Sequence, residues 1–266
     1  MSKFHSEEDI LAHYDSSKYQ TPDGYTADIA IFTIVSEKKE EKAPPNMTLK
    51  IMLIKRAAKD AEGNPNIEGG KWALPGGFVD ANHKETAYIA AKRELKEETN
   101  VEGLHLQHFG VYDKVDRDPR GWMISNAFYA IVPEMFIEQR QANDDAAEVE
   151  LFDIEEVFTL QLAFDHRQII ADALAFIKRD MIQTTVAKNF LPQEFTLSEL
   201  QRVLLTVDED PRIANDSVFF AKAPKLPFID KVLDREGKPK KTKRNSFRPS
   251  QLYTFNDREI VESIYH

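Results

Sequence analysis

Residues 76–98 hold charged side chains whose types and spacing suit metal-dependent chemistry on phosphates. Glu94, Glu97 and Glu98 stand three and four residues apart, which brings their side chains to one face of a helix. Because clustered carboxylates repel one another, a hard divalent cation such as Mg²⁺ or Mn²⁺ is their natural partner. Such a metal neutralises diphosphate charge and positions an attacking water. An acidic helix face taken alone, however, is more often simply solvated.

Three further residue types support the metal-site interpretation. Gly76 and Gly77 allow the backbone to turn sharply and to approach the start of the helix closely. Arg93 can donate hydrogen bonds to the neighbouring carboxylates and hold them in place. The general base stays open, because any one of these glutamates, or a carboxylate from a later loop such as Glu148, could accept the proton.

The same stretch resembles the Nudix hydrolase family, whose motif is G-x(5)-E-x(7)-R-E-U-x-E-E-x-G-U. The residues that match by type are Gly77, Glu85, Arg93, Glu94, Leu95, Glu97, Glu98 and Val101. Two departures occur: the segment between Gly77 and Glu85 is longer by two residues, and Asn100 replaces a glycine. The resemblance implies that Glu94, Glu97 and Glu98 are the metal ligands. It also implies that these glutamates and Arg93 are the catalytic residues of an active diphosphate hydrolase.

Other runs of sequence narrow the substrate. The segments at 116–121, 144–148 and 162–166 resemble those of ADP-ribose-directed Nudix proteins and their regulator relatives. This resemblance implies a nucleoside diphosphate sugar as substrate, with ADP-ribose hydrolysed to AMP and ribose 5-phosphate.

Five residues are candidates for substrate contacts. Gly77 lies at the glycine turn, and Arg117 and Arg120 are suited to phosphate or ribose hydroxyls. A charged turn with internal ion pairs is the alternative for the two arginines, and charge alone favours it. His166 could equally be structural, and Trp72 either stacks on an adenine or, as we favour, packs in the core.

The order of the elements predicts an α+β fold. Apolar runs and alternation predict strands at 25–35, 48–56, 105–112, 123–132 and 148–152, with helices at 84–99 and after an N-cap at Asp165. With the resemblance, this order implies a Nudix α/β/α sandwich with a mixed sheet at residues 1–185.

The character of the sequence changes near residues 184–194, where we place a domain boundary. The second domain, residues 190–266, opens with a capping box at 196–199 and continues with a second short helix around 213–223. Residues 228–255 follow as two strands around a long loop. A helix pair followed by a hairpin predicts a winged helix–turn–helix.

The C-terminal hairpin is basic. Between Lys222 and Arg248 ten Lys and Arg residues stand against three acids, although the whole chain has a net charge of -10. A solvated basic loop explains this charge as well as a DNA contact does. The arrangement resembles Nudix-related regulators of NAD metabolism, which implies an ADP-ribose sensor, DNA as a possible partner, and a homodimer. The helix at 213–223 carries few basic residues, which weakens the DNA interpretation.

Composition excludes several classes of protein. The chain has no cysteine, so disulfides and cysteine nucleophiles are excluded. Its 42% apolar content is sufficient for a sizeable core and argues against disorder. No run is long enough for a membrane helix, and no signal-peptide core is visible at the start. We therefore expect a soluble cytoplasmic protein without a membrane partner.

Overall fold

The computed structural model describes residues 6–37, 45–59, 62–100, 102–134, 148–256 and 258. In these ranges the strands are β1 (Gly24–Glu37), β2 (Asn46–Lys55), β3 (Trp72–Ala73), β4 (Gly76–Phe78), β5 (His105–Tyr112), β6 (Met123–Ile131), β7 (Val149–Asp153), β8 (Ile229–Lys231), β9 (Lys241–Thr242), β10 (Ser250–Gln251) and β11 (Tyr253–Phe255). The helices are α1 (Glu7–Ala12), α2 (Ala87–Thr99), α3 (Ile154–Val157), α4 (His166–Gln183), α5 (Leu197–Leu205), α6 (Pro211–Ala214) and α7 (Asp216–Lys222).

The first seven strands form one mixed sheet. Its order is β3-β2-β1-β6-β5, with β4 paired to β1 and β7 paired to β2. The β1–β6 pair is parallel and the other pairs are antiparallel. All five strands predicted from the sequence are present, and each of their ends lies within two residues of the predicted position.

The central strand β1 is buried on both faces, which explains its nearly continuous apolar sequence. Ile29 and Ile31 belong to the apolar cluster that packs under α2. Ala30 and Phe32 belong to the larger cluster on the opposite face, where α4 packs with Ile169 and its neighbours. Helices therefore cover both faces of the sheet, which is the predicted α/β/α arrangement.

Helix α2 begins three residues later than predicted. Thr86 caps it by accepting a hydrogen bond from the backbone N–H of Ile89. The preceding residues form a 3₁₀ turn, Ala81–His83, instead of a helical turn. Alanines dominate the buried face, so the helix lies close to the sheet and presents its glutamates at the flank.

The end of α2 gives a small stability prediction. Asn100 has φ of 55° and donates its backbone N–H to the carbonyl of Lys96 at 2.7 Å. Glycine adopts this left-handed conformation without a Cβ penalty, so Asn100→Gly should raise the free energy of unfolding by less than about 1 kcal/mol. Urea denaturation measures the change. A loss of stability would show that the asparagine side chain makes a contact of its own.

Helix α4 starts where predicted, but its cap differs. Asp165 occupies the N-cap position without a side-chain cap bond, because its carboxylate binds Arg117. Five of the six apolar positions predicted for this helix are buried: Ile169, Ile170, Ala173, Ile177 and Met181. The sixth, Leu174, is partly buried against the same cluster.

The C-terminal region confirms the capping box and corrects two other predictions. Thr196 and Glu199 form both bonds of the box at the start of α5. The single helix predicted around residues 213–223 is instead two helices, α6 and α7, because Asn215 is extended and caps α7 through Val218 N–H. The two strands predicted in residues 228–255 are four short ones, paired as β8–β11 and β9–β10.

One apolar cluster spans the two regions on either side of residues 184–194. It contains Phe32 and Tyr129 of the sheet together with Phe195, Leu200 and Tyr253. The division into domains at residues 1–185 and 190–266 stays a prediction. Among the described residues, no helix is long and apolar enough to cross a membrane.

A buried carboxylate anchors the basic hairpin. Glu199 is 7% exposed and accepts hydrogen bonds from Arg244 Nε at 2.7 Å and Asn245 Nδ2 at 2.7 Å, besides its bond to Thr196 N–H. Arg244 Nη2 also donates to the carbonyl of Glu194 at 2.9 Å. This loop is therefore tied to α5 by its own charged residues.

We expect Glu199→Gln to destabilise the C-terminal region by about 1–3 kcal/mol, the usual range for hydrogen bonds to a charged group. The exposed pair Lys240–Glu194, at 2.6 Å, offers a matched control. Glu194→Gln should cost no more than about 1 kcal/mol because water screens that pair. Denaturation of both variants, followed by hydrogen exchange of α5, tests this difference. Equal effects would contradict the anchoring role.

Candidate functional site

The glycine pair in β4 lets a carboxylate of α2 approach the sheet. A Cβ placed on Gly77 would lie 2.1 Å from Oε1 of Glu94, and one on Gly76 would lie 2.3 Å from the carbonyl oxygen of Ala27. Both distances are shorter than any stable contact. Any larger residue would therefore displace either Glu94 or the β1–β4 pairing, which explains the need for glycine at both positions.

Arg93 joins the carboxylates of this site. Its Nε donates to Glu85 Oε1 at 2.9 Å, and its Nη1 donates to Glu94 Oε1 at 2.6 Å and to Glu97 Oε2 at 3.4 Å. Its Nη2 donates to the carbonyl of Phe78 at 3.2 Å. The hydrogen bonds that Arg93 donates to Glu85 and Glu94 raise the pKa of Arg93, so the guanidinium stays protonated. The arginine holds the glycine turn and the helix together.

The longer segment before Glu85 leaves this geometry intact. Asp80 accepts hydrogen bonds from the N–H groups of Asn82 and His83, which closes the 3₁₀ turn. Glu85 Oε2 in turn accepts the N–H of Asp80 at 3.0 Å. The extra residues are absorbed in the turn, and the bond with Arg93 lowers the pKa of Glu85.

The glutamates of α2 carry the carboxylate oxygens that a hard divalent cation prefers as ligands. Their side chains, however, do not converge on one point. The side chains of Glu94 and Glu97 are 14% and 56% exposed, and Arg93 lies between them. Within the described ranges, no three His, Asp or Glu side chains already converge as metal ligands would. If Glu94, Glu97 and Glu98 are the ligands predicted from the sequence, their side chains would have to rotate towards one another to bind a metal. Val101, the last matching position of the motif, lies outside the described residues.

A cleft of about 190 Å³ opens beside the glycine turn. Four of the five candidates for substrate contacts line it together: Gly77, Arg117, Arg120 and His166. Trp72 does not line it. The other lining residues are Thr26, Asp28, Ile54, Arg56, Leu74, Gly76, Phe78, Asp118 and Phe164. The whole lining contains three arginines and two aspartates, so the cleft is rich in hydrogen-bond donors for an anion.

Arg117 is fixed by internal ion pairs. Its side chain is 4% exposed, and it binds Asp165 in bidentate fashion at 2.9 and 2.6 Å. Asp28 lies 3.6 Å away and accepts the hydroxyl of Ser125 at 2.6 Å. Burial opposes the charge of Arg117, but the hydrogen bonds with Asp165 and the negative charges of Asp165, Asp28 and Asp118 together outweigh burial and raise the pKa of Arg117. The internal ion pairs that the sequence analysis gave as the alternative to a substrate contact are therefore present.

Arg120 is more accessible than Arg117. Its side chain is 30% exposed and pairs with Asp118 at 2.6 Å. Its guanidinium lies 5.4 Å from the ring centre of Phe78 and 5.3 Å from that of Phe164. These are cation–π distances, so the arginine is held at the cleft opening by two aromatic rings.

His166 and Trp72 have structural positions. His166 Nδ1 accepts the N–H of Leu74 at 2.9 Å, and burial lowers the pKa of His166, which keeps the ring neutral. Trp72 meets Phe152 edge-on at 4.7 Å and packs against the larger apolar cluster. The core role favoured for Trp72 agrees with these contacts.

The loop carboxylate considered as general base, Glu148, stands apart from the cleft. Glu148 pairs with Lys55 at 2.9 Å, and Lys55 Nζ lies 5.2 Å from the ring centre of Trp72. Glu148 is not among the residues that line the cleft. Residues 144–147 lie outside the described residues.

Two charged residues of the cleft, Asp28 and Arg56, were not singled out from the sequence. Asp28 had a visible signal, since it is a charged residue inside an apolar strand that is buried on both faces. Arg56 had none, because it looks like an ordinary residue at the end of a strand. Phe164 was included only as part of the segment at 162–166, with no role assigned to it.

Comparison with known proteins identifies the family. A NUDIX domain model matches residues 25–173, which is more than half of the chain. The chain belongs to the Nudix family. Nudix hydrolases generally use divalent metals, which agrees with the oxygen donors on α2.

The similar proteins include both a regulator and an enzyme. An ADPR responsive transcriptional repressor, NtrR, from Acinetobacter baylyi is 30% identical over 200 residues, or 75% of this chain and 72% of the repressor. An ADP-ribose pyrophosphatase from Methanocaldococcus jannaschii is 43% identical over 123 residues, or 46% of this chain and 64% of that enzyme.

The structural likeness extends beyond the Nudix domain. Shewanella oneidensis NrtR, at 24% identity and a TM-score of 0.66, covers 87% of this chain, which in turn covers 94% of that structure. The same protein has been solved with a 27mer DNA and gives a TM-score of 0.64. At this identity the likeness concerns the fold alone, and it indicates a second domain after the Nudix domain.

Proposed function

We propose that this protein is a Mg²⁺- or Mn²⁺-dependent hydrolase of nucleoside diphosphates linked to a second group, with ADP-ribose as the preferred substrate. The observation that carries the proposal is the close contact of the Glu94 carboxylate with Gly77. Arg93 holds this carboxylate by a hydrogen bond, beside a cleft that three arginines line. The ADP-ribose pyrophosphatase among the relatives supports the substrate.

In this proposal each residue of the site has its own role in the hydrolysis. Glu94, Glu97 and Glu98 would hold the metal, which would neutralise diphosphate charge and favour ionisation of a water. Arg93 positions Glu94 and Glu85 and keeps the glycine turn in place. Water adds to one phosphorus, the bridging P–O bond breaks, and AMP and ribose 5-phosphate leave. One carboxylate accepts the proton of the water.

The two predicted substrate arginines have different roles in the proposal. Arg120 is at the cleft opening and can donate to a phosphate or a ribose hydroxyl while it stays near Asp118. Arg117 would have to leave Asp165 to bind substrate directly. We therefore assign Arg117 to orienting the walls of the cleft and Arg120 to contacting the ligand.

The experiment that tests the enzyme is hydrolysis of ADP-ribose by the full chain with and without Mg²⁺, with AMP and ribose 5-phosphate quantified by chromatography. Metal-dependent release of both products in equal amounts supports the proposal. Binding of ADP-ribose without turnover in Mg²⁺ or Mn²⁺ would contradict it and leave a sensor. Other nucleoside diphosphate sugars in the same assay define the preferred second group.

A second function is favoured by the repressor among the relatives and by the basic hairpin: an ADP-ribose-responsive regulator that binds DNA. We propose that α5, α6, α7 and the hairpin form a winged helix in a homodimer. The hairpin would supply the phosphate contacts, since α7 has Lys222 as its one basic residue and Arg212 in α6 is already paired with Asp210 at 2.5 Å. A domain that serves dimerisation alone is the remaining alternative.

Salt dependence separates these possibilities. Binding to a labelled promoter fragment should weaken steeply between 50 and 200 mM salt, roughly 10³-fold or more if six or more phosphates are contacted. Sedimentation of the same sample reports the predicted dimer. Absence of binding at low salt would remove the DNA function, and a dimer found in the same experiment would leave dimerisation as the role of the C-terminal region.

A further inference from the structure

Arg56 differs from the other two arginines of the cleft in its partners. It follows β2 and is half-buried, and its Nε donates to the carbonyl of Ile67 at 3.1 Å. Arg117 and Arg120 are each bound to an aspartate. In the part of the chain that the structure describes, no carboxylate lies within ion-pairing distance of Arg56.

The surroundings of Arg56 leave its charge poorly compensated. Burial, and after it the positive charge of Arg120, lowers the pKa of Arg56. Asp118, Glu68 and Asp28 act in the opposite direction, but only from longer range. A half-buried guanidinium without a bonded anion is unusual, because desolvated charges are normally paired. An anion in the cleft would complete this pairing.

Phe164 fixes the position of this guanidinium. Its ring centre lies 5.0 Å from Arg56 and 5.3 Å from Arg120. The backbone of Phe164 has φ of 50°, a left-handed conformation that is unfavourable for a bulky side chain. Such strain persists where the surrounding structure imposes it, often at binding sites. Here the strained backbone aims the ring between the two arginines.

We propose that Arg56 binds a phosphate group of the substrate and that Phe164 is the residue that positions it. The inference deepens the proposed function and rests on it, since Arg56 lines the same cleft as the glycine turn that seats Glu94. An arginine can give a phosphate two parallel N–H donors, and within the described ranges of the chain the Nη groups of Arg56 make no hydrogen bond that would compete with this. The ring of Phe164 limits the directions in which the guanidinium can turn.

The first test compares Arg56→Gln and Arg56→Lys in the full chain. Without metal, so that no turnover occurs, calorimetry with ADP-ribose should show a loss of affinity of roughly tenfold or more for Arg56→Gln, as for a lost charged hydrogen bond. Arg56→Lys should fall between the two because it keeps the charge. With Mg²⁺, KM for ADP-ribose should rise by a larger factor than kcat falls.

Pyrophosphate and adenosine identify which part of the ligand Arg56 contacts. Pyrophosphate should compete with ADP-ribose in the wild type and lose that competition in Arg56→Gln. Competition by adenosine should be unchanged in Arg56→Gln. Equal weakening of both probes would mean that the variant disturbs the whole cleft, and the proposal would be wrong.

Arg179 provides a matched control for a stacked arginine. It lies 4.4 Å from the ring centre of Phe176 on α4 and does not line the cleft. Arg179→Gln should leave the affinity for ADP-ribose and pyrophosphate unchanged. A loss equal to that of Arg56→Gln would overturn the assignment.

Phe164→Gly separates positioning from folding. Glycine relieves the left-handed strain, so the melting temperature should fall little, while the affinity for pyrophosphate drops severalfold because the ring is gone. Unchanged pyrophosphate affinity would overturn the positioning role.

The failure of the enzyme proposal would be recognised separately. If the wild type neither hydrolyses nor binds ADP-ribose, the proposed function fails, and pyrophosphate binding alone then decides the role of Arg56. Pyrophosphate binding that disappears in Arg56→Gln supports an anion site, and a wild type that binds no pyrophosphate contradicts it.

Discussion

Replacing Glu97 with glutamine should reduce the metal-dependent hydrolysis of ADP-ribose by about 100-fold or more, since even residues that only support metal ligands are worth roughly 10–100-fold. Glu97 is a good probe because its side chain is 56% exposed and its contact with Arg93 is long, at 3.4 Å. The substitution keeps size and hydrogen bonding and removes the negative charge. The fold should therefore be unaffected while the metal loses a ligand.

Glu102 is the matched control for this substitution. It is exposed, follows α2 and forms an ion pair with Lys96. Glu102→Gln should hydrolyse ADP-ribose at the rate of the wild type. Steady-state rates over a range of Mg²⁺ concentrations should show a higher metal requirement for Glu97→Gln alone. Full activity of Glu97→Gln at low Mg²⁺ would remove this glutamate from the metal site.

Gly77→Ala should be nearly as damaging to catalysis, although it changes no charged group. The added Cβ would lie 2.1 Å from Oε1 of Glu94, so the carboxylate must move away and its 2.6 Å bond from Arg93 must break or shift. A displacement of about 1 Å at a reacting group can cost roughly 100-fold in rate. We expect kcat to fall on this order. The melting temperature should change little, since Gly77 has no positive φ.

Gly110→Ala is the control for the added methyl group. Gly110 also lies in a strand and lacks a positive φ, and its nearest neighbour is the movable side chain of Tyr112 at 3.3 Å. It should retain activity. Because Gly77→Ala acts through Glu94, its effect should shrink strongly in a Glu94→Gln background. Additive losses in the double variant would show that the methyl group acts elsewhere.

The sequence by itself determined the five long strands of the sheet, the carboxylate helix α2 and the helix α4. Patterns of period two and period 3.6 are local, so they located β1, β2, α2 and α4 before any contact was known. The capping box at Thr196 and Glu199 is local as well, and it is present as predicted. The motif on α2 was readable for the same reason, since a helix brings residues three and four apart to one face.

The tertiary structure alone decided which residues line the cleft together. It also decided which charged side chains of the cleft are paired within the protein and which can contact a ligand. Arg56 ends a strand, Arg117 and Arg120 lie in a loop, and Phe164 precedes α4, so their meeting depends on how the sheet and helices pack. Sequence spacing cannot show that Asp165 neutralises Arg117 rather than capping its own helix. Partner choice among charged side chains is set by distance and burial, and both exist only once the chain has folded.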